Sequence, residues 1–544
     1  MKRLASLSLL VLLAAALGPA AAGAGPAKPD VRAVVAAHLK VKWISAGANA
    51  WLHPPKSAGT GARALSRRAA FGTNVDAADP QEDVAGGQSE TAIAAATLNG
   101  EHRVVTAWND ASGFFVQPTT RIRASLTGVG YSRDGGASFR DLFGLPNGNP
   151  DEQWSGDPTV VAIDGGRHFI VGSLYFPSLQ ACFADNRPAQ ATVAVAVGTP
   201  TPRGGMRFSR PIVVSPAGNI CDLFNGNFEK TVALLDKEFL AWDQSTRTLA
   251  VSYTRFFLSG PHFGTGQIEL ARAHVPTNLA HFGSDDFTRT AVVWPEEPDV
   301  ENEGAYVALA PGGDAYVAWE RNIDSNQFNG NPFVWINAAK VPPGALRPSV
   351  GGPHHRIVVT RGQVNATPSG AVRSFGAQQI PGYNRFVGND FPRIAYDRTR
   401  GQVLIEWNDA QLHPLGDIWL RALDRKLSLD QRIRRVNDDS DYTLHFMPAL
   451  SVRASGRICS SWYDRRLSSP DSALTDYFGE CRRGSRRNAP DFRITTGSSD
   501  WTNSDSVGTP NFGDYTDQTS DGKTTYYTWS DGRLGVAQPF VDHH

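Results

Sequence analysis

Short runs of alternating apolar and polar residues dominate the chain, and they are clearest between residues 389 and 437. Four runs occur there: Arg393 to Tyr396, Val403 to Trp407, Asp417 to Leu420 and Arg432 to Val436. Residues that favour turns separate each run from the next. Alternation with a period of two over about four to eight residues is typical of strands that bury one face. The pattern therefore predicts a four-stranded antiparallel meander.

The first two strands of this meander recur along the chain as a hairpin whose second strand ends in an aromatic residue. We find seven copies, and the aligned aromatic residues are Trp108, Tyr175, Tyr253, Trp319, Trp407, Trp462 and Trp529. A repeated unit that cannot bury its own apolar face is typical of stacked or circular architectures. The repeats predict an all-β fold, a single β-propeller of four-stranded antiparallel blades. Seven blades are expected, with six as the alternative.

The last copy is short of strands. After Trp529 only the stretch from Val536 to Val541 remains for a third strand, and no fourth follows. Upstream, the stretch from Phe71 to Asp76 precedes the first hairpin just as residues 434–437 precede the sixth. We expect this N-terminal strand to supply the missing outer strand, which closes the ring and protects its open edge.

The N-terminus has the pattern of an export signal. Lys2 and Arg3 are followed by an apolar stretch from Leu4 to Leu17 and by the small residues Ala20 to Ala22. Such a sequence predicts a secreted protein, extracellular or periplasmic. We divide the chain into a signal peptide (1–22), an N-terminal extension or linker (23–68) and the propeller (69–544).

Export makes the four cysteines informative, because disulfides persist outside the cytosol. Cys459 and Cys481 fall on neighbouring strands of one repeat, while Cys182 and Cys221 flank another. Of the three possible pairings we predict Cys182–Cys221 and Cys459–Cys481. No CxxC motif or His/Cys cluster indicates a zinc site.

The charges balance, with 53 Lys and Arg residues against 53 Asp and Glu residues. A chain without net charge has no global field that attracts nucleic acid or an anionic membrane. No stretch beyond the N-terminus is apolar enough to span a bilayer. We therefore expect neither a nucleic-acid partner nor a membrane span. The expected partner is a glycan or another extracellular ligand, and the expected state is a monomer.

Polar residues are expected to meet at one face of the propeller. The loops that enter each inner strand and the loops that leave each second strand share this face, which we call the top face. The candidate ligand-binding residues there are Glu90, Asp157, Arg255, Arg321, Asp390, Asp464, Arg465, Asp514 and Arg533. The candidates for catalysis are Asp157, Asp390, Arg321, Arg465 and Arg533.

Carboxylates interleaved with arginines suit a polar or anionic ligand, because Arg offers a bidentate fork and neighbouring acids split their pKa values. The same oxygens suit Ca²⁺. The alternative is structural, with each Asp and Arg capping a turn or pairing with its neighbour. Long top loops add the aromatic residues Phe114, Phe115, Phe176, Phe328, Tyr383 and Phe386, which suit either stacking on sugars or holding the loops down.

A turn in the first copy, Ser132 to Phe139, reads S-x-D-x-G-x-S-F. It resembles the Asp-box, or BNR repeat, of secreted bacterial proteins of the sialidase-like propeller superfamily, and the resemblance covers residues from about 70 to the end. It implies that Asp134 caps backbone N–H groups, that the glycines take positive φ and that Phe139 tucks beneath. The stretch from Gly204 to Phe208 is similar to an eroded copy.

Sialidases of this superfamily are six-bladed, bind the substrate carboxylate with three arginines, and use a Tyr activated by a Glu with an Asp as acid/base. This sequence departs from them, because it has seven hairpins and lacks a FRIP-type motif. By position, Arg321, Arg465 and Arg533 correspond to the arginine triad. Three functions stay open: a glycan-binding propeller, a glycoside hydrolase or polysaccharide lyase, and an extracellular protein-interaction scaffold.

Overall fold

A computed structural model of the chain describes residues 74–78, 87–110, 125–148, 152–177, 189–294, 300–322, 333–349, 356–363, 391–410, 412–413, 415–429, 432–439, 443–469, 471–484, 489–503, 505–506, 509–510 and 512–544. Almost all of the regular structure in these residues is antiparallel β-sheet. Seven four-stranded blades form a seven-bladed β-propeller, as the hairpin repeat predicts. The six-bladed alternative is excluded.

The first three blades follow one another along the chain, and blade 2 has split inner and outer strands. Blade 1 contains β2 (Gln88–Leu98), β3 (Glu101–Asp110), β4 (Thr127–Ser132) and β5 (Arg140–Gly144). Blade 2 contains β6 (Glu152–Trp154), β7 (Thr159–Ile163), β8 (His168–Pro177), β9 (Thr192–Pro200), β10 (Met206–Phe208) and β11 (Ile212–Val213). Blade 3 contains β12 (Ala233–Asp243), β13 (Thr248–Phe257), β14 (Gly266–His274) and β15 (Phe287–Val293).

The next three blades keep the same order of strands. Blade 4 contains β16 (Glu301–Leu309), β17 (Ala315–Asn322), β18 (Phe333–Val341) and β19 (Ile357–Gln363). Blade 5 contains β20 (Arg393–Asp397), β21 (Gln402–Asp409), β22 (Asp417–Leu423) and β23 (Arg434–Arg435). Blade 6 contains β24 (His445–Val452), β25 (Arg457–Asp464), β26 (Leu474–Arg483), β27 (Phe492–Arg493) and β28 (Ser499–Asp500).

Blade 7 is assembled from both ends of the chain. It contains β31 (Asp517–Asp521), β32 (Thr524–Asp531), β33 (Gln538–His543) and the N-terminal β1 (Val75–Asp76). Val75 lies opposite Val541 and Asp76 opposite Phe540. The predicted closure of the ring by the N-terminal strand is confirmed.

The few remaining elements are short and lie in the connections between strands. They are the hairpin of β29 (Asp505–Ser506) and β30 (Thr509–Pro510), the helix α1 (Cys221–Phe224), and the 3₁₀ turns Asp164–Gly166, Leu279–His281, Ser284–Asp286 and Trp501–Asn503.

The core lies between neighbouring blades rather than within one layer. All seven aligned aromatic residues are buried, as expected for side chains that fill the space between stacked sheets. Between blades 5 and 6, for example, Leu404 and Ile418 pack with Leu450 and Trp462. Between blades 7 and 1, Trp108 packs with Val541. Each blade therefore depends on its neighbours for burial of its apolar surface.

The turn after β4 has the geometry that the sequence implies for residues 132–139. The Asp134 carboxylate accepts hydrogen bonds from the Ser138 N–H (2.9 Å) and from the Ser138 and Ser132 hydroxyls. Gly135 and Gly136 have φ values of 75° and 87°, and Phe139 is buried. Gly135 N–H donates to the carbonyl of His102, which places this turn at the end of the blade opposite the top face.

Blade 5 has a second turn of this kind, which we did not predict from the sequence. Its Asp424 accepts hydrogen bonds from the Lys426 and Ser428 N–H groups, both at 2.8 Å, and from the Ser428 hydroxyl. The shared pattern is an Asp followed four residues later by a Ser. Here Leu427, at φ 60°, adopts the left-handed conformation without a glycine.

The Cys459–Cys481 disulfide joins β25 and β26, where the two residues lie opposite each other. The predicted pairing is confirmed. Cys221 is also disulfide-bonded, and Cys182, the partner that the sequence predicts for it, lies outside the described residues.

Candidate functional site

The inner strands share an irregularity close to their starts at the top face. In blades 1, 3, 4 and 6 a two-residue bulge interrupts the pairing of the inner strand with its neighbour. The first residue of each bulge has left-handed φ, and these residues are Glu90 (51°), Lys237 (56°), Gly304 (65°) and Met447 (51°). Asp157 takes the same conformation (56°) at the corresponding position of blade 2. Because this conformation is uncommon outside glycine, and bulges redirect side chains, the positions merit attention.

Three of these side chains meet at the axis of the ring. The Lys237 amine contacts the Asp514 carboxylate and lies 3.5 Å from Asp157 Oδ2 and 3.9 Å from Glu90 Oε1. Blades 3 and 7, which carry Lys237 and Asp514, are not neighbours, so their contact crosses the central channel. All four side chains are almost fully buried. The channel near the top face is thus occupied by a charged cluster.

Hydrogen bonds fix the acidic side of this cluster. Glu90 accepts a hydrogen bond from the Asn109 amide (2.6 Å) through one oxygen and from the Asp514 backbone N–H (2.9 Å) through the other. The Asn109 carbonyl oxygen accepts the Asp157 backbone N–H (2.5 Å). One asparagine on β3 therefore couples the acids of blades 1 and 2.

Arg393 of blade 5 lies on the other side of the channel. Its guanidinium donates to the Pro448 carbonyl of blade 6 and to the Thr516 carbonyl of blade 7, each at 2.8 Å. It also lies 4.0 Å from the ring centre of Tyr306 and 5.5 Å from that of Tyr515, both favourable cation–π geometries. Its remaining nitrogen, Nη1, is buried without a hydrogen-bond partner in the described part of the chain.

Glu238, the second residue of the blade 3 bulge, has an unusual environment for a carboxylic acid. It is 5% exposed, and neither carboxyl oxygen has a hydrogen-bond partner from another described residue. The charge of Glu90 contributes to raising the pKa of Glu238, and the charge of Glu238 contributes to raising the pKa of Tyr515. Burial of a carboxyl group without a hydrogen-bond partner lowers the free energy of unfolding.

Burial sets the protonation of the channel acids. It raises the pKa of Asp157 well above its usual value, and the nearby charge of Glu90 raises it further. It raises the pKa of Glu238 in the same way, with the charge of Asp236 adding to the effect. The pKa of Asp517 rises to about 6, again by burial, although Arg393 opposes the rise. Desolvation penalises the charged form of each of these three acids, which favours their neutral form.

Part of the predicted arginine and aspartate ring at the top face stabilises the end of a single blade. Asp464 and Asp531 each accept the indole N–H of the tryptophan two residues earlier, at 2.8 Å in both blades. The arginine two residues later pairs with the same carboxylate, Arg466 in blade 6 and Arg533 in blade 7. The repeated W-x-D-x-R sequence thus forms a local structural unit at the end of the second strand.

The other predicted residues have separate surroundings. Arg465 is buried and donates to the carbonyls of Ser469 and Ser472. Arg255 pairs with Glu269 on the neighbouring strand, and Arg321 lies in β17 opposite Asn302. Of the nine predicted ligand-binding residues, the structure therefore brings Glu90, Asp157 and Asp514 together.

Some predictions for the top face have different outcomes. Asp390 lies outside the described residues, as do Phe114, Phe115, Phe328, Tyr383 and Phe386. Phe176, which the sequence suggests as an exposed loop aromatic, is fully buried in the core between blades 2 and 3. It belongs to β8, where an aromatic side chain fills the interface between blades.

His445 belongs to a buried link between blades 5 and 6. Its Nε2 lies 3.2 Å from Asp439 and 3.3 Å from Asp464, and Nδ1 lies 2.9 Å from the Gly416 carbonyl. The two carboxylates outweigh burial and raise the pKa of His445 to about 10. The imidazolium is therefore present at neutral pH and donates through both nitrogens.

Four residues of the channel, Lys237, Glu238, Arg393 and Tyr515, were not among the sequence candidates. A signal for two of them was present, because Lys237 and Glu238 follow Asp236 directly before the third inner strand. Lys237 occupies the bulge position that Glu90 and Asp157 occupy in blades 1 and 2. Arg393 and Tyr515 carried no such signal, because a polar residue at a strand end is common.

The described residues contain no group of three or more His, Cys, Asp or Glu side chains arranged to hold a metal ion. In the same part of the chain, no helix has the length and apolar character needed to cross a membrane.

Similarity to known proteins is confined to solved structures. No protein-family model matches the sequence, and no curated protein sequence matches it. Among solved structures it is similar to a GH93 α-L-arabinofuranosidase of Fusarium graminearum in complex with arabinobiose, with 9% identity, a TM-score of 0.40, and 84% of this chain and 93% of that chain covered.

Two further solved structures are similar to the chain. A Penicillium chrysogenum α-L-arabinanase complexed with arabinobiose has 10% identity and a TM-score of 0.40, with 87% of this chain and 97% of that chain covered. A Trypanosoma rangeli sialidase in complex with the inhibitor DANA has 12% identity and a TM-score of 0.39, with 70% of this chain and 53% of that chain covered. Likeness at this level carries nothing about activity.

Proposed function

We propose that the protein binds a glycan at the top-face mouth of its central channel, with Glu238 and Arg393 as its principal polar contacts. The observation that carries the proposal is the pair of unsatisfied buried groups in one channel. The Glu238 carboxyl lacks a partner from another described residue, and Arg393 Nη1 lacks one in the same part of the chain. Tyr515 is related to both groups. Its ring centre lies 5.5 Å from the Arg393 guanidinium, and the charge of Glu238 contributes to raising the pKa of Tyr515.

The chemistry of these groups suits a sugar. A neutral carboxyl both donates and accepts a hydrogen bond, as a sugar hydroxyl does, and its raised pKa keeps Glu238 in that form. The guanidinium supplies a further donor, and it pairs well with a carboxylate on an acidic sugar. Tyr306 and Tyr515 add aromatic surface around Arg393.

Stability alone does not account for this cluster. Buried charged groups are often replaceable by apolar residues without loss of stability, because desolvation offsets their mutual attraction. A propeller channel lined by apolar side chains would avoid that cost. Buried groups with perturbed pKa values in a cleft favour a binding or catalytic role.

A glycan array tests the proposal. We expect the purified protein to bind a defined subset of glycans and a Glu238→Gln variant to bind the same subset about tenfold or more weakly, because the amide alters one hydrogen-bond role. Glu229→Gln serves as the control, since Glu229 is exposed in the connection before blade 3. Absence of binding to every glycan by the wild-type protein would contradict the proposal and favour a protein-interaction scaffold.

Glycoside hydrolysis is a second candidate function, favoured by the grouping of several carboxyl side chains in the channel. Hydrolysis by two carboxyl groups needs one protonated acid and one ionised carboxylate. Burial raises the pKa of Asp157 and of Glu238 well above the usual value, which favours the protonated form that a general acid needs. The Glu90 carboxyl accepts two hydrogen bonds. Turnover of fluorogenic glycosides, sialosides included, and its loss in Glu238→Gln would establish this function, and binding without turnover would exclude it for the sugars tested.

We also infer that the protein is exported. The N-terminal sequence has the pattern of a signal peptide, and the Cys459–Cys481 disulfide is of the kind that persists in oxidising compartments. N-terminal sequencing of the protein from the culture medium or periplasm is expected to show cleavage near residue 22. Recovery of the full-length chain from the cytosol would contradict the inference.

A further inference from the structure

The contact between Lys237 and Asp514 has the arrangement needed for a covalent bond. A primary amine meets a carboxyl group of a distant part of the chain, with the side chains only 2% and 0% exposed. The two residues are separated by 277 positions and belong to blades on opposite sides of the ring. Holding a nucleophile against a carbonyl carbon in a fixed geometry removes most of the entropic barrier to their reaction.

The surroundings remove water from this pair. The Lys237 amine lies 5.6 Å from the ring centre of Phe391, and the neighbouring Tyr515 hydroxyl donates to the Pro158 carbonyl (3.0 Å). Four side chains take part, those of Lys237, Asp514, Asp157 and Glu90, and all four are buried. Desolvation disfavours the charged forms of amines and carboxyls, and the neutral forms are the ones that react with each other.

Two further carboxyl groups are placed to move protons. Asp157 lies 3.5 Å from the amine, and burial raises its pKa, which favours the protonated form. Glu90 lies 3.9 Å from the amine, and the Asp514 backbone N–H donates to it, which holds Glu90 over the reacting residue. A proton donor and a proton acceptor thus flank the same reacting pair, as general acid–base catalysis requires.

We propose that Lys237 and Asp514 form an intramolecular isopeptide bond across the central channel, with Glu90 and Asp157 as proton carriers. The Lys237 Nζ lone pair attacks Asp514 Cγ, and a new C–N bond forms. Glu90 accepts a proton from the amine, while Asp157 donates one to the departing carboxyl oxygen. The C–O bond breaks and the hydroxyl leaves as water. The one proton that the neutral amine loses to Glu90 is balanced by the one that the hydroxyl gains from Asp157, so Glu90 ends protonated and Asp157 ionised.

The bond joins blade 3 to blade 7 through the centre of the ring. It supplements the closure of the ring at blade 7, where the N-terminal strand pairs with β33. Glu238 and Arg393, the proposed ligand contacts, take no part in it. Formation of this bond can therefore be tested independently of glycan binding.

Intact mass of the reduced and denatured wild-type protein tests the proposal. We expect a mass lower by one water molecule than the mass of the mature sequence. After trypsin we expect a branched peptide that joins residues 231–247, uncleaved at Lys237, to residues 494–523. The full sequence mass, with cleavage at Lys237 and no branched peptide, would overturn the proposal.

Substitutions separate the bond from other losses of water. Lys237→Arg and Asp514→Ala are expected to restore the full mass, and Glu90→Gln to lower the cross-linked fraction at least tenfold. Asp514→Asn is expected to lose ammonia instead and to reach the same final cross-linked mass as the wild type. The pair of Lys230 and Asp222, 2.8 Å apart, provides an internal control that should stay uncross-linked, because the Lys230 side chain is 55% exposed to water.

Discussion

Closure of the ring depends on one buried side chain, Asn74, and its replacement by alanine provides a quantitative test. Asn74 is 1% exposed, and its amide donates to the Ile494 carbonyl (2.9 Å) and to Asp542 (2.7 Å). Its carbonyl oxygen accepts the Thr496 N–H (2.7 Å), the Thr496 hydroxyl (2.9 Å) and the Arg533 guanidinium (3.1 Å). One residue thus joins β1 to blade 7 and to the connection after blade 6.

The expected loss follows from these contacts. Asn74→Ala leaves a carbonyl, a carboxylate and an N–H without their partner, and each such loss costs about 1 kcal/mol or more when the group is buried. We therefore expect the free energy of unfolding to fall by about 3 to 5 kcal/mol, a large part of the roughly 5 to 15 kcal/mol of a typical protein. For a chain of this size the midpoint of thermal unfolding falls by roughly 3 to 5 °C.

Urea and thermal unfolding monitored by circular dichroism measure the effect. Asn225→Ala is the matched control, because Asn225 is exposed at the end of the short helix, and it should change stability by less than about 0.5 kcal/mol. Asn74→Asp keeps the volume of the side chain but places a carboxylate beside Asp542. It therefore tests the hydrogen bonds of Asn74 separately from the packing. Removal of residues 69–77 is expected to unfold the propeller. An Asn74→Ala loss below about 1 kcal/mol, or a stable truncated protein, would refute this account of closure.

Further predictions concern the blades themselves. His445→Gln should destabilise the protein by up to about 5 kcal/mol below pH 6.5, the ordinary imidazole pKa. This loss should shrink as the pH rises toward about 10, the pKa of His445 in the folded protein. The free energies of unfolding of variant and wild type can be compared by urea titration from pH 6 to 10. A difference that stays constant over this range would contradict the prediction. Reduction of Cys459–Cys481, or its replacement by serines, should cost about 3 kcal/mol for a separation of 22 residues. An unfolding midpoint unchanged by reductant would exclude that contribution. Asp134→Ala should cost about 1 to 2 kcal/mol in urea unfolding through the lost turn hydrogen bonds, whereas no measurable cost would show that the turn is held by other contacts.

The architecture was predictable because it is repeated. Strand alternation and an aromatic residue at the end of each second strand occur seven times, so the signal is summed over copies, and the missing strand of the last copy indicated closure by residues near Val75. A turn from Asp424 to Leu427 at the bottom of blade 5 is expected from the sequence. Its Asp-box-like hydrogen bonding was missed because only the spacing of Asp and Ser is kept there, without the glycines that mark Asp134 and its neighbours.

The site was only partly predictable. Position at the top face selected Glu90, Asp157 and Asp514 correctly as neighbours, but it selected Asp464 and Arg533 for the same reason, and these hold their own blades together. Which polar residue points to the axis depends on the bulge and on left-handed φ. Neither feature has a composition signature, since the bulge positions hold Glu, Asp, Lys, Gly and Met in different blades.

A crystal structure of the protein with an oligosaccharide selected from the array tests the central claim most directly. The account predicts a sugar ring at the top of the central channel, within hydrogen-bond distance of the Glu238 carboxyl and Arg393 Nη1. A sugar bound on another face, with Glu238 and Arg393 unchanged and without contact to it, would contradict the account.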